Sequence, residues 1–364
     1  MAEPRRLRGH TAGATCCIAS RTRPGLVATA AEDGFVCWYD LRCKDMLFSM
    51  VAGDGNPVSS LCFKPGNEDI IYVTAGNGVK SFDLDMVSSQ PTSWKQLESY
   101  NYNKDEINQI AFHPKSSFLA AADDTGDVKI IDVRQRCLYR TLRAGHKSIC
   151  SSVQFLPWRS WEVITGGLDS KLVMWDFSKG RPNKIMDLGN EDNPGQCCNP
   201  AFVHALAVPD VDIVDKVGKI CIVARGDGVV NVTNIEAELA SHKSKAKSTQ
   251  KGQPSSSESS GGSMRNLHLD YSRGGHIAAV SCVTLSMFGE KGKLIISGGN
   301  DKSVKVWDWS KGYDVGQTDS GNKQPLCTSI DLKRKVNWLC TTPSDSENLV
   351  ICDTSEVVKV YSIG

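Results

Sequence analysis

Several short segments of the chain alternate apolar and polar positions with the period of two that is typical of β-strands. In VSSLCF (58–63) and INQIAF (107–112), one set of alternate positions is apolar and the other is mostly polar. Such alternation is expected of strands in sheets that pack face to face around a channel. The pattern predicts an all-β fold for this chain of 364 residues.

One strand pattern recurs as an internal repeat. GGLDSKLVMWD (166–176) returns as GGNDKSVKVWD (298–308), and AAEDGFVCWYD (30–40) is a more divergent copy. Each copy has small residues, an Asp at a predicted tight turn, alternating β-forming residues, and an aromatic residue followed by Asp. Alignment on this last position gives seven copies: Tyr39-Asp40, Phe82-Asp83, Ile131-Asp132, Trp175-Asp176, Thr233-Asn234, Trp307-Asp308 and Tyr361-Ser362.

This pattern resembles the repeat of WD-repeat proteins, in which the repeats build the blades of a β-propeller. The resemblance implies a single seven-bladed propeller over residues 1–364. The C-terminal copy supplies only three strands, and the N-terminal segment that contains RLRGH (6–10) has no blade of its own. We therefore expect the N-terminal segment to add the fourth strand of the last blade, which closes the ring and removes exposed sheet edges.

One stretch departs from the strand pattern. Residues 239–274 are rich in Ser, Lys and Gly and contain few large apolar residues. A segment of this composition buries too little apolar surface to offset the entropy of ordering it. We expect a disordered insertion between blades five and six.

Composition and charge narrow the classes of function. The 42 basic and 41 acidic residues leave a formal charge of +1, so we expect no membrane partner and no direct contact with nucleic acid. The N-terminus lacks a signal-peptide core, which predicts an intracellular protein of the cytoplasm, the nucleus or both. We also expect the propeller to be a monomer. The 14 cysteines are scattered without a CxxC motif. This spacing predicts buried free thiols, with no metal and no cofactor.

Three blades carry polar residues at matching spacing. They are His146, Thr165, Asp169 and Trp175 in blade four, His276, Ser297, Asp301 and Trp307 in blade six, and His10, Thr29, Asp33 and Tyr39 in blade one. A Ser-His-Asp set is also found in hydrolases, but one catalytic site would not need three copies. We therefore predict a structural role, in which the set satisfies buried polar groups and fixes turns. Phosphate-loop, nucleophile-elbow and HExxH motifs are absent, so we expect no catalytic residue and no enzyme activity.

Two copies of the repeat end in Asp, an apolar residue and Arg. The pairs are Asp40 with Arg42 and Asp132 with Arg134. They resemble the DWD box of WD-repeat proteins that dock on the adaptor of cullin-4 ubiquitin ligases, although Tyr39 stands where that box prefers Trp. The resemblance implies that both arginines contact the adaptor from one rim of the propeller. The alternative is a salt bridge inside each blade.

A second group of candidates surrounds the first strands of the blades. Lys147 is expected on the rim opposite the arginines, where a partner protein would contact it. Asn108 and Asn337 occupy equivalent positions and either face a partner or bond to neighbouring blades. Trp338 is either an anchor for a partner or part of the strand packing.

The segments ICSSVQF (149–155), NPAFVHALAV (199–208) and KVNWL (335–339) resemble the eukaryotic WD repeat-containing protein 53 family. The resemblance implies a noncatalytic interaction scaffold that bridges an unknown substrate protein to a cullin-4 ligase. The alternative is a scaffold of another assembly, such as a chromatin or RNA-processing complex. Exposed arginines on one face favour the first hypothesis, whereas arginines buried against Asp40 and Asp132 favour the second.

Overall fold

Seven four-stranded antiparallel sheets surround a central channel in the computed structural model, which describes residues 3–87, 90–190, 199–240, 266–312 and 324–363. In six of the sheets, strands that are consecutive in sequence are also neighbours in the sheet. The first strands of successive blades contact one another in order, and the first strand of blade one contacts that of blade seven. The prediction of a closed seven-bladed propeller is confirmed.

The strands are numbered along the chain, and β1 (Arg5–Leu7) precedes blade one. Blade one comprises β2 (Ala14–Ala19), β3 (Leu26–Ala31), β4 (Phe35–Asp40) and β5 (Met46–Val51). Blade two comprises β6 (Leu61–Lys64), β7 (Asn67–Ala75), β8 (Gly78–Val87) and β9 (Gln90–Tyr100). Blade three comprises β10 (Ile107–Phe112), β11 (Phe118–Asp123), β12 (Val128–Asp132) and β13 (Cys137–Leu142). Blade four comprises β14 (Cys150–Phe155), β15 (Glu162–Gly167), β16 (Lys171–Asp176) and β17 (Arg181–Asp187). Blade five comprises β18 (Val203–Ala207), β19 (Ile220–Arg225), β20 (Val230–Asn234) and β21 (Leu267–Leu269). Blade six comprises β22 (Val280–Leu285), β23 (Leu294–Gly299), β24 (Ser303–Asp308) and β25 (Leu326–Asp331). Blade seven comprises β26 (Val336–Thr341), β27 (Leu349–Asp353), β28 (Val358–Tyr361) and β1.

Short helices lie in the connections between strands. They are α1 (Val214–Val217), a helical segment at residues 235–240, and the 3₁₀ turns Leu188–Asn190, Tyr271–Arg273 and Trp309–Gly312. Among the described residues, no helix is long and apolar enough to cross a membrane.

The N-terminal strand completes blade seven, as the sequence predicts. In the antiparallel pairing of β1 with β28, Arg5 lies opposite Val360 and Leu7 lies opposite Val358. Leu7 is buried, and it packs with Val27, Val350 and Val360 in the cluster between blades seven and one. The chain therefore closes its ring by joining residues from its two ends.

Alternation of apolar and polar positions holds mainly in the first strands, such as β10 and β14. The second strands are buried almost throughout, and every residue of β3 and β19 is buried. These strands lie inside a blade that is covered on both faces by its neighbours, so both of their faces are apolar. Seven hydrophobic clusters between and within blades form the core.

Part of the predicted insertion at 239–274 is an element of the propeller. Strand β21 pairs with β20, with Leu267 opposite Val232 and Leu269 opposite Val230. Both leucines are buried, since blade five needs a fourth strand and these two apolar residues supply its inner face. The expectation of disorder is therefore wrong for residues 266–274, whereas residues 241–265 lie outside the described part of the chain.

We expect deletion of residues 1–10 to lower the melting temperature by about 5 °C or more, because it removes β1 and the burial of Leu7. The exposed edge of β28 should also promote aggregation. Calorimetry and light scattering measure both effects. Deletion of residues 1–4 leaves β1 intact and is the matched control. Equal melting of the two truncated proteins would contradict closure by β1.

Candidate functional site

The predicted polar sets of blades four and six form continuous hydrogen-bond chains. In blade four, His146 Nδ1 lies 2.9 Å from Asp169 Oδ1, and its Nε2 lies 2.8 Å from Thr165 Oγ1. The indole N–H of Trp175 donates to the same hydroxyl at 2.9 Å. In blade six the corresponding distances are 3.0 Å from His276 to Asp301, 2.9 Å from His276 to Ser297, and 2.9 Å from Trp307 to Ser297.

The donors and acceptors of each chain match when the histidine is neutral. The indole N–H donates to the hydroxyl oxygen, the hydroxyl donates to His Nε2, and His Nδ1–H donates to the carboxylate. Burial lowers the pKa of His276, although Asp301 opposes this shift. Burial opposes ionisation of Asp301, but hydrogen bonds and the interaction with His276 outweigh it and lower its pKa to about 2. A neutral ring and an ionised carboxylate are therefore the stable pair.

Backbone contacts show which segments the hydrogen-bond chain of blade four holds in place. The N–H of Lys147 donates to Asp169 Oδ2 at 3.0 Å, so the carboxylate fixes the entry into β14. A Cβ atom on Gly145 would lie 2.2 Å from the indole of Trp175, which excludes any other residue before the histidine without rearrangement. The arrangement stabilises the blade and leaves no free nucleophile, because the Thr165 hydroxyl is buried between two ring partners.

Blade one has the divergent version. His10 lies 2.8 Å from Thr29 Oγ1 and 3.3 Å from Asp33, while the Tyr39 hydroxyl donates to the carbonyl of Arg8 at 3.2 Å. Tyr39 therefore fixes the segment that joins β1 to β2. Tyr39 occupies the position that tryptophan holds in blades four and six, but it donates to a backbone carbonyl and not to the hydroxyl of the hydrogen-bond chain.

Two other blades solve the same problem with different residues. In blade three, Asn103 donates to Asp123 Oδ2 at 2.9 Å from the position that histidine holds elsewhere. In blade five, the buried Arg225 donates to Asp227 through Nε at 3.1 Å and through Nη2 at 2.5 Å. Alignment on a Gly-His pair does not find these residues. The signal common to both is an Asp, which is the last residue of the second strand in blade three and lies in the following turn in blade five.

A ring of hydrogen bonds joins consecutive blades near the start of their first strands. Each donor is a short polar side chain, and each acceptor is a backbone carbonyl of the next blade. The bonds run from Thr15 to Val58 O, Ser59 to Ile107 O, Asn108 to Cys150 O, Ser151 to Val203 O, Ser281 to Val336 O, and Asn337 to Ala14 O. His204 holds the equivalent position in blade five, where burial lowers its pKa.

These bonds join the starts of all first strands on one side of the propeller, and the two sides define two rims. Because first strands begin beside one another, all third strands end on the same side of the propeller. We call this side the arginine rim, since it carries Arg42 and Arg134. The opposite side, which carries His10, His146 and His276, is the histidine rim.

The two arginines are exposed but differ in their contacts. The Arg42 side chain is 70% exposed, and it donates to Asp40 through Nε at 2.9 Å and through Nη2 at 2.7 Å. Asp132 instead accepts from Ser117 Oγ at 2.9 Å and from the backbone N–H of Arg134. The exposed Arg134 guanidinium has no hydrogen bond or ion pair with any described residue.

The remaining candidates lie in other places. The Lys147 side chain is exposed on the histidine rim. Asn108 and Asn337 bond to neighbouring blades, so their geometry favours the structural alternative. Trp338 is half-buried and lines a central cavity of about 620 Å³, where it packs against four hydrophobic clusters. The structure therefore does not bring these four residues together with the arginines.

The cysteines and acidic residues of the described ranges form no disulfide and no metal-binding cluster. The 12 cysteines in the described ranges are free, and most of them are buried or half-buried. Within those ranges, no cluster of His, Cys, Asp and Glu side chains is arranged to hold a metal ion.

The family model of the WD domain, G-beta repeat, matches residues 94–132, 136–176 and 268–308. Each match begins near the fourth strand of one blade and ends at the Asp that closes the third strand of the next. The repeat thus links two blades, as β1 does at the ring closure. The chain is a seven-bladed β-propeller, and three of its repeats match the WD-repeat model.

Known WD-repeat proteins resemble this propeller over different lengths. WD repeat-containing protein 53 homolog from Dictyostelium discoideum is 28% identical, and the alignment covers 98% of this chain and 94% of that protein. GATOR2 complex protein WDR24 from Danio rerio is 28% identical over 44% of this chain and 20% of its own length. The crystal structure of the WD40 β-propeller domain of Doa1 shares the fold, with a TM-score of 0.68 and 14% identity over the whole chain.

We expect His146→Ala to lower the free energy of unfolding by about 1–3 kcal/mol, because the buried Thr165 and Asp169 lose their shared partner. Urea unfolding measures this loss. Lys147→Ala is the control, since it keeps the backbone bond to Asp169 and should change stability by less than about 0.5 kcal/mol. A variant at His146 that unfolds like the wild type would show that the chain does not stabilise blade four.

Stability of the propeller should fall with acidity in two stages. Below about pH 6.5, histidines bind protons in the unfolded chain, whereas burial lowers the pKa of His10 and His276 in the folded chain. Protonation therefore stabilises the unfolded state relative to the folded state. Below about pH 4, aspartates of the unfolded chain bind protons while Asp301 stays ionised until about pH 2. Urea unfolding at a series of pH values measures both stages. His276→Gln should weaken the first stage, and an unchanged slope would contradict a neutral buried ring.

Proposed function

We propose that this WD-repeat propeller is a noncatalytic scaffold that serves as substrate receptor of a cullin-4-type ubiquitin ligase. In this proposal, the ligase adaptor binds the arginine rim at Arg42 and Arg134, and Asp40 and Asp132 hold the adjoining turns. An unknown substrate protein binds elsewhere, with Lys147 and the histidine rim as the proposed surface. The propeller acts as a monomer in the cytoplasm, the nucleus or both.

Exposure of both arginines on one rim is the observation that carries this proposal. A guanidinium has five N–H donors in a planar fork that suits bidentate binding of a carboxylate. Asp40 engages Nε and Nη2 of Arg42, so Nη1 remains available to a partner. The Arg134 guanidinium is wholly available to one within the described structure.

A matching pair of blades supplies an internal contrast. Asp176 and Asp308 end the third strands of blades four and six, and each pairs with a lysine three residues later. The distances are 2.9 Å for Lys179 and 3.2 Å for Lys311. A lysine gives a point charge where arginine gives a planar fork of donors. At the second position after the aligned Asp, the sequence has arginine only in blades one and three.

A scaffold role in a different assembly is the second candidate function. The bidentate pairing of Arg42 with Asp40 favours it, because this contact also braces the turn after β4. Relatives named as subunits of other complexes give further support: GATOR2 complex protein WDR24 and THO complex subunit 6 homolog, both from Danio rerio. In this case the arginines stabilise their blades, and the partner is not a ligase adaptor.

Direct binding of the purified cullin-4 adaptor to the purified chain tests the first proposal. We expect the Arg42→Ala, Arg134→Ala double variant to bind about tenfold more weakly or worse, since exposed arginines often carry much of the energy of an interface. Isothermal titration calorimetry measures the dissociation constant. Melting temperature checks that the variant is folded.

The Lys179→Ala, Lys311→Ala double variant is the matched control and should bind like the wild type. Absence of binding by the wild type would reject the ligase proposal. Equal binding by the folded arginine variant would reject the assigned site. Loss of thermal stability in the arginine variant without loss of binding would favour the bracing role.

A further inference from the structure

A cluster of aromatic side chains lies where blades three and four meet on the arginine rim. We call Phe118, Tyr139, Trp161 and Phe177 the aromatic patch. Phe177 is fully buried and lies 5.3 Å from Phe118 and 5.4 Å from Trp161, measured between ring centroids. Phe118 lies 4.8 Å from Tyr139 and 5.9 Å from Trp161. The patch is one contiguous surface from two blades.

The outer rings of the patch remain open to solvent. Trp161 is 48% exposed and Tyr139 is 37% exposed, whereas the aromatic residues at the ends of the third strands are buried. Large aromatic side chains lose little conformational entropy on binding and concentrate the energy of protein interfaces. A contiguous exposed apolar surface is a common mark of an interaction site, and Trp161 and Tyr139 both lie against Phe118.

The patch is held rigidly before any partner arrives. The N–H of Phe177 donates to the carbonyl of Trp161 at 3.0 Å, which joins two turns of blade four. Gly180 has a φ of +68°, and a Cβ atom there would lie 2.7 Å from Arg140 Cδ of blade three. Gly180 thus allows the Arg140 side chain of blade three to pack closely against blade four. A rigid surface loses less entropy when it binds.

The charges around the patch define the chemistry of a partner. Lys115 and Arg181 are exposed and form no ion pair within the described ranges, and the same holds for Arg134 at the border of the patch. The nearby carboxylates are already engaged: Asp132 and Asp176 are buried and bonded inside their own blades. The surface around the aromatic rings is therefore positive.

We propose that the aromatic patch docks an acidic segment of a partner protein that carries a large apolar anchor residue. The anchor packs against Trp161 and Tyr139, and the acidic residues face Lys115 and Arg181. This inference goes beyond the ligase proposal, because its central residues are different from Arg42 and it holds for any assembly. The charge complementarity favours this occupant over a basic or neutral segment.

A short synthetic peptide with glutamates around a central Phe-Leu pair is the probe, and fluorescence anisotropy measures its binding to the full chain. We expect Trp161→Ala to weaken binding about tenfold and Arg181→Glu to weaken it by a similar factor. Arg181→Glu changes only an exposed residue, so it tests the proposal even if Trp161→Ala destabilises the seam.

Two controls match these changes elsewhere on the propeller. Trp94 is also exposed and packs edge-on against a buried ring, Phe82, so Trp94→Ala should bind the peptide like the wild type. Lys44 is an exposed cation of the arginine rim in blade one, so Lys44→Glu should also leave binding unchanged. Equal losses in controls and patch variants would overturn the proposed location.

Other results would overturn the proposed chemistry. Failure of the wild type to bind the peptide, or equal binding of a peptide with lysines in place of the glutamates, would reject an acidic partner. Sedimentation of the chain alone tests a second copy as occupant, and a dimer that Trp161→Ala abolishes would replace the proposal. Because none of these measurements contains the ligase adaptor, their failure leaves the adaptor-binding result unaffected.

Discussion

Closure of the ring is the constraint on which the rest of this propeller depends. A blade buries its two faces only against the next blade, so an open series would leave apolar sheets exposed at both ends. Two kinds of contact close the series. Strand β1 completes blade seven with residues from the opposite end of the chain, and side chains such as Thr15 and Asn337 bond to the carbonyls of adjacent first strands. The first contact completes a sheet, and the second fixes the spacing of sheets around the channel.

Within the blades, different side chains meet one physical requirement. The turn between the second and third strands needs a partner for its backbone and for the segment that enters the blade. Asp169 fills this role with His146, Asp123 fills it with Asn103, and Asp227 fills it with Arg225. In each pair a carboxylate accepts from a side chain with fixed geometry. The shared requirement is a buried donor for the Asp, and histidine is one of several residues that supply it.

The sequence predicts this architecture well because the signal is repeated. Seven aligned copies, four of them aromatic-Asp pairs, mark the third strands, although β8 of blade two continues to Val87. A missing strand at the C-terminus points to β1 as its replacement. Strand β21 escaped prediction because only Leu267 and Leu269 distinguish it from the polar segment before it. Only part of the ring of interblade bonds was predicted. Bonding of Asn108 and Asn337 to neighbouring blades was one of two alternatives, whereas the hydroxyl donors Thr15 and Ser59 escaped because they share no sequence pattern with asparagine.

The surface was less predictable than the fold, because its properties arise from residues that are distant in sequence. Arg42 and Arg134 follow similar motifs, yet only Arg42 pairs with the Asp of its own motif. In blade three, Asp132 Oδ1 instead accepts from Ser117, which lies in a different turn, and from two backbone N–H groups. The Arg134 guanidinium has no acceptor among the residues that the structure describes. The aromatic patch likewise needs Phe118 from one blade beside Trp161 from the next. Because the ring is rigid, small sequence differences between neighbouring turns place different chemical groups on the rim. These differences allow a fold built from similar repeats to distinguish between partners.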